Sequence, residues 1–247
     1  MDIESKLVDF TVNTGFADLP RGVVAATKKN ILDTIACALG GSSAPGCREV
    51  VRLFAGFGGK ESSSILVYGG KLPPQSAALV NATMAHALDF DDTHDKAVLH
   101  AGVSNVPVAL AVGEYLGTVS GKDLITATAL GIDIVCRMGL ATKSWIGWIF
   151  TALYGFFGAA TVVGKLIGLD RERMLNALAL LTPRRPGTSR VSLTAHYPSD
   201  FSPDLPPAVA YCPLYWPVRG LLVPAEYSRV RLASLDSIIG AITTRLP

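Results

Sequence analysis

Apolar residues recur at helical spacing through most of the first 182 positions. From Gly22 to Leu39 they fall at Val24, Ile31, Ile35 and Leu39, and Gly40-Gly41 ends the pattern. A short helix follows over Cys47–Phe57, closed by Gly58-Gly59. Ser63–Val67 is an apolar run too short to distinguish a strand from extended chain. Pro73-Pro74 opens a helix that the pattern carries through Leu88, with proline tolerated in the first turn. Asn105–Leu116, Gly121–Leu140, Ile146–Ile167 and Asp170–Leu181 complete the series, with Asp170 placed as an N-cap and Glu172 in the first turn. Strands do not alternate with helices, so the pattern predicts an all-α, helical-bundle-like domain over residues 1–182.

Residues 183–247 break this regularity. They hold ten of the fifteen prolines, seven arginines and no lysine, and their apolar residues lose helical spacing. Tyr-Pro, Ser-Pro, Pro-Pro and Trp-Pro steps oppose helix, so this is an irregular Pro/Arg-rich tail.

Composition narrows the class. The chain is 49% hydrophobic and 17% charged, enough apolar content to bury a core. A net charge of +2 and the lack of a basic stripe before residue 183 argue against a nucleic-acid partner. Cys37, Cys47, Cys136 and Cys212 are scattered without a CxxC pair, which fits reduced cysteines of a cytoplasmic protein and not an iron–sulfur cluster. The N-terminus MDIESKLVDF is acidic and mixed, unlike a signal peptide. Trp145–Gly164 carries no charge for 20 residues, but Lys143 and Lys165 flank it on both sides and give no orientation signal, so it reads as a central buried helix and not a membrane span. Phosphate-binding GxGxxG and Walker patterns are missing.

The chemistry concentrates in Asn81–Gly102, NATMAHALDFDDTHDKAVLHAG. Asp89, Asp91 and Asp92 sit here with His86, His94 and His100, three of the chain's four histidines. Such a group suits proton transfer or a metal site. Helical spacing places His86 and Asp89 on one face, three residues apart, and a loop folds His100 back toward Asp89. A carboxylate beside an imidazole orients it and raises its pKa. For a metal, HExxH, a two-His-one-carboxylate pattern and an EF-hand loop are all missing, so no metal ligands are assigned.

These residues resemble the MmgE/PrpD family, which includes 2-methylcitrate dehydratase, cis-aconitate decarboxylase and iminodisuccinate epimerase. Three blocks carry the resemblance: VNATMAHALDFDDTHDKAVLHAG from Val80, VPVALAVGEYLGTVSGKDLITATALGIDIVCRMG from Val106, and GWIFTALYGFFGAATVVGKLIGLDRERMLNAL from Gly147. The resemblance implies a helical first domain, a smaller α+β lid domain, a homodimer, and no required metal or organic cofactor. It implies small di- or tricarboxylic acid substrates and proton transfer at a carbon activated by a carboxylate. Asp89 and His100 match the family's catalytic aspartate and histidine, and Thr93 an active-site threonine. The implied roles are His100 as proton carrier, Asp89 as its partner or a second acid–base group, and Thr93 as a hydrogen-bond donor to substrate. A 2-methylcitrate dehydratase-like activity is the first expectation, with decarboxylase-like or epimerase activity as alternatives.

The chain departs from the family pattern twice. Where the family often reads GWHxT, Ile149 replaces the histidine, and isoleucine neither transfers a proton nor binds a carboxylate. A lysine expected in a later segment like SKRLxPG is missing from this chain. Both departures raise the alternative of a catalytically inactive helical remnant. A frame change after about Thr182 accounts for the tail: shifting the reading frame by two bases permits QAAGNKQGLLDGALSKRLQPG, a family-like continuation with its lysine. The expectation is therefore a helical domain over 1–182, a frameshifted tail over 183–247, no lid, and impaired catalysis.

Overall fold

The computed structural model describes residues 3–143 and 149–181. The tail over 183–247, with Cys212 and the expected frame change, lies outside the described residues. Among those residues there are eight α-helices: α1 (Ile3–Asn13), α2 (Arg21–Gly41), α3 (Cys47–Gly56), α4 (Pro74–His86), α5 (Gly102–Leu116), α6 (Gly121–Ala141), α7 (Phe150–Leu166) and α8 (Arg171–Leu180). One antiparallel two-stranded sheet, β1 (Ser63–Ser64) and β2 (Lys71–Leu72), interrupts them. The all-α reading holds, and the Ser63–Val67 run proves to be half of a small hairpin.

The inner helices are α4 and α5. Every residue from Ser76 to Ala85 is buried, as is every residue from Gly102 to Ala109. Helices apolar all round belong in such a position. Helix α2 packs on α4, while α6 and α7 pack on each other and on α5. Helices α1 and α8 pair at the outside against α7. Helix α6 is long and apolar enough to cross a membrane, but 61% of its most apolar window is buried inside the fold. The shorter α7 begins at Phe150 within the uncharged run Trp145–Gly164 and extends past its end, and most of this helix is buried.

Polar side chains tie the elements together. Glu114 on α5 accepts from the Ser64 N–H at 2.6 Å and from Lys71 Nζ at 2.6 Å, so one carboxylate holds both strands. Asn81 on α4 accepts from the Leu66 N–H and donates to the Ser64 carbonyl, fastening the hairpin to the core. Ser120 and Asp123 form a capping box at the start of α6. Asp170 accepts from the Arg173 N–H, as its N-cap placement predicts.

Small residues set the helix spacing. A methyl group on Gly131 of α6 would meet Asn105 Oδ1 and Val162 Cγ2, and one on Gly158 of α7 would meet the Asn105 amide at 2.6 Å and 2.9 Å. Asn105 of α5 is fully buried, donates to the Ala101 carbonyl at 2.7 Å, and fills the space that the two glycines leave. Overpacked cores shift backbone or side chains at a cost. Gly131→Ala is therefore expected to destabilise the domain by about 1–3 kcal/mol, read as a lower denaturant midpoint, whereas Gly121→Ala at the open start of α6 leaves it nearly unchanged.

Candidate active site

Helix α4 stops at His86, two residues before the pattern predicts. Asp89 takes a left-handed backbone, φ +51°, which aspartate tolerates better than most residues. His86 and Asp89 thus do not share a helical face. The chain beyond α4 forms a loop from Ala87 to Ala101 that returns to start α5.

Two devices shape this loop. Between His94 and Leu99 a tight turn closes through the His94 N–H to the Leu99 carbonyl at 2.9 Å, with Val98 at φ +53°. Within the turn, His94 Nδ1 accepts from the Ala97 N–H at 3.1 Å, so this imidazole serves the loop backbone. At the base, Asp92 Oδ1 accepts from the Gly102 N–H at 2.8 Å, the first residue of α5, and the Asp92 N–H donates to Asp33 Oδ2 at 3.1 Å on α2. Gly102 has no room for a side chain there: a methyl group would meet Asp92 Oδ1, Thr34 Oγ1 and Asn30 Oδ1.

The turn brings His100 back to the end of α4. His100 Nε2 lies 3.4 Å from Asp89 Oδ1, and Nδ1 lies 3.5 Å from Asp91 Oδ1. His86 Nδ1 is 2.8 Å from the same Asp91 oxygen. The two rings meet edge to face with centroids 4.9 Å apart. The His100 N–H donates to Thr151 Oγ1 at 2.9 Å, so the first turn of α7 fixes its backbone. Ile149 sits just before α7 and is 41% exposed.

The expected residues therefore sit in different settings. Asp89 is an open rim group, its side chain 79% exposed, while the His100 side chain is 20% exposed. Thr93 is exposed, and its hydroxyl donates to the Asp91 carbonyl at 3.4 Å. The buried centre is Asp91, whose side chain is wholly shielded and touches both imidazoles. Sequence spacing singles out neither Asp91 nor Thr151, because burial and a contact from α7 are tertiary facts. The close run of acids around Asp89 was the one available hint.

The electrostatics follow from this arrangement. Burial works against a charged His86 ring, but the hydrogen bond and charge of Asp91, with the charges of Asp89 and Asp92, outweigh it and hold the pKa above the ordinary imidazole value. Burial pushes the Asp92 carboxyl up; the Gly102 N–H opposes this and the Asp91 charge adds to it. Cys37, beside the site, donates weakly to the Phe90 carbonyl, and its thiol is raised by burial and by Asp33, Asp91 and Asp92, so it is a poor nucleophile. Cys136 on α6 is pushed up to about 12 by burial and the Asp133 charge. A partly exposed imidazole pair backed by a buried carboxylate can deliver or remove a proton at the surface of the loop.

Known proteins resemble this chain over most of its described length. The MmgE/PrpD N-terminal domain profile matches residues 5–195. The chain is 32% identical over 186 residues to a cis-aconitate decarboxylase of Aspergillus terreus, covering 72% of this chain and 38% of that protein. It is 30% identical over 172 residues to the cis-aconitate decarboxylase of Mus musculus, covering 66% and 35%, and 31% identical over 170 residues to that of Homo sapiens, covering 64% and 34%. The chain thus spans well under half the length of the curated relatives it matches.

His86 binds its proton more tightly in the folded chain than in the unfolded one. Its contribution to stability is full below the ordinary imidazole value of 6.5 and fades as pH rises through the higher folded value. The melting temperature is expected to fall as pH rises above the ordinary imidazole value of 6.5, and this fall is expected to shrink in His86→Gln; thermal scans at rising pH check it.

Proposed function

The chain belongs to the MmgE/PrpD family, and from this we propose that it performs cofactor-independent proton transfer next to a carboxylate on a small di- or tricarboxylic acid. The observation that carries the reading is His100 held between Asp89 and Asp91, with its backbone pinned by Thr151. Such a pair can protonate the carbanion left when carbon dioxide departs, or remove the proton whose loss expels a hydroxyl. In this reading His100 carries the proton, Asp91 orients the imidazoles from below, Asp89 acts at the rim, and the Thr93 hydroxyl meets the substrate. The names of the relatives favour cis-aconitate and the decarboxylase branch over 2-methylcitrate. The cellular setting proposed is cytoplasmic, consistent with free Cys37, Cys47 and Cys136.

One observation favours a second reading, a domain with little or no turnover. Ile149 lies two residues before Thr151, whose hydroxyl accepts from the His100 N–H, and it stands where the family pattern often has histidine. An apolar side chain there can neither bind a substrate carboxylate nor share a proton.

A second copy of the chain is the partner we propose. Leu32, Leu39, Leu88 and Phe90 are all exposed, with Phe90 at 84%, and the Phe90 backbone lies against Cys37 on α2. Exposed apolar clusters of this kind commonly mark association surfaces.

Turnover of cis-aconitate or 2-methylcitrate by the purified chain is expected to fall roughly 10²–10⁴-fold in His100→Ala and Asp89→Asn, and to rise in Ile149→His. Activity unchanged in both loss variants would overturn the proton-transfer reading. Light scattering of the eluted protein is expected to show a dimer in the wild type and a monomer in Phe90→Asp.

A further inference from the structure

The two imidazoles and two carboxylates around Asp91 are also placed to hold an ion. One ring nitrogen each from His86 and His100 and one oxygen each from Asp89 and Asp91 all lie within 4.8 Å of one another. His86 Nδ1 lies 2.8 Å from Asp91 Oδ1, and His100 Nε2 lies 3.4 Å from Asp89 Oδ1. Bonds of zinc to nitrogen and oxygen place neighbouring ligand atoms of a tetrahedron about 3.3 Å apart. Separations of 2.8 Å and 3.4 Å, with all four donors inside 4.8 Å of one another, are of that order.

Two further observations point to a missing partner. The Asp91 side chain is wholly buried, yet its Oδ2 has no hydrogen-bond partner. His100 Nδ1 is also buried without a hydrogen bond. Among the described residues, Asp89 and Asp91 form no ion pair with lysine or arginine, so histidine is their only counter-charge. Buried anions with incomplete pairing are costly, and a cation relieves that cost. Two imidazoles with two carboxylates suit a borderline divalent ion of the zinc type, whereas magnesium and calcium prefer oxygen ligands alone. His94 lies outside this group of converging donors, and its Nδ1 accepts from the Ala97 N–H.

We propose that His86, Asp89, Asp91 and His100 bind one zinc-type divalent ion, and that the ion silences the site by occupying the lone pairs that proton transfer needs. This ion is an inhibitor and not a required cofactor. Binding stands on the geometry alone; silencing rests on the proton-transfer reading.

The test is titration of the metal-free full chain with zinc chloride by calorimetry, and with cobalt(II) by visible absorption. One saturable site per chain is expected, with cobalt bands that zinc displaces and no competition from millimolar magnesium. Affinity is expected to fall at least 10-fold in His86→Ala and in His100→Ala and to stay unchanged in His94→Ala and His196→Ala. Circular dichroism establishes that each variant folds, and the wild-type cobalt spectrum reports nitrogen and oxygen ligation independently of any variant. Absence of a saturable site, or equal affinity in both ligand variants, overturns the proposed site while leaving the proton-transfer reading intact. Zinc binding at the site with undiminished turnover overturns the silencing.

Discussion

The loop that gathers the acids and imidazoles depends on the carboxylate of Asp92. It accepts from the N–H of Gly102, where α5 begins, and its own backbone N–H is held by Asp33 on α2. A carboxylate at a helix N-terminus satisfies an otherwise orphan donor and meets the positive end of the helix dipole. The contact is possible only because residue 102 has no side chain. Asp92 therefore joins three elements at the base of the loop, and the positions of Asp89, Asp91 and His100 follow from that junction. Its place in an acid-rich motif is structural.

Packing of the inner helices sets the other side of the site. Gly131 and Gly158 allow α6 and α7 to close on Asn105, and α7 in turn presents Thr151 to the His100 backbone. An inner pair of helices buried on all sides leaves the proton-bearing groups at their ends, where α4 stops and α5 starts. The site is thus half in the core and half in solvent. Asp91 is wholly shielded against the two imidazoles, and Asp89 is open to solvent at the rim.

Much of the fold was legible in the chain. The helices over Gly22–Leu39, Cys47–Phe57 and Gly121–Leu140 match α2, α3 and α6 to within two residues at each end, because glycine and a capping serine punctuate them. The misses have local causes. Helix α5 begins at Gly102, three residues before the apolar pattern suggests, since its start is set by Asp92 from outside the helix. Helix α4 ends early because Asp89 adopts a left-handed backbone. The pattern gave no separate element over Ile3–Asn13, where α1 is held partly by α8, a partner distant in the chain.

The amino-acid sequence by itself determined the helical class, the family, and the narrow stretch in which acids and imidazoles meet. These depend on spacing and residue type, which are local along the chain. Only the tertiary structure decided which of the acids is buried, that one oxygen of Asp91 serves two histidines, and that Asp92 and His94 are occupied by backbone. The physical reason is that burial and hydrogen-bond partnership belong to groups brought together by folding: His100 takes its settings from the ends of α4 and α7, 14 and 51 residues away from it.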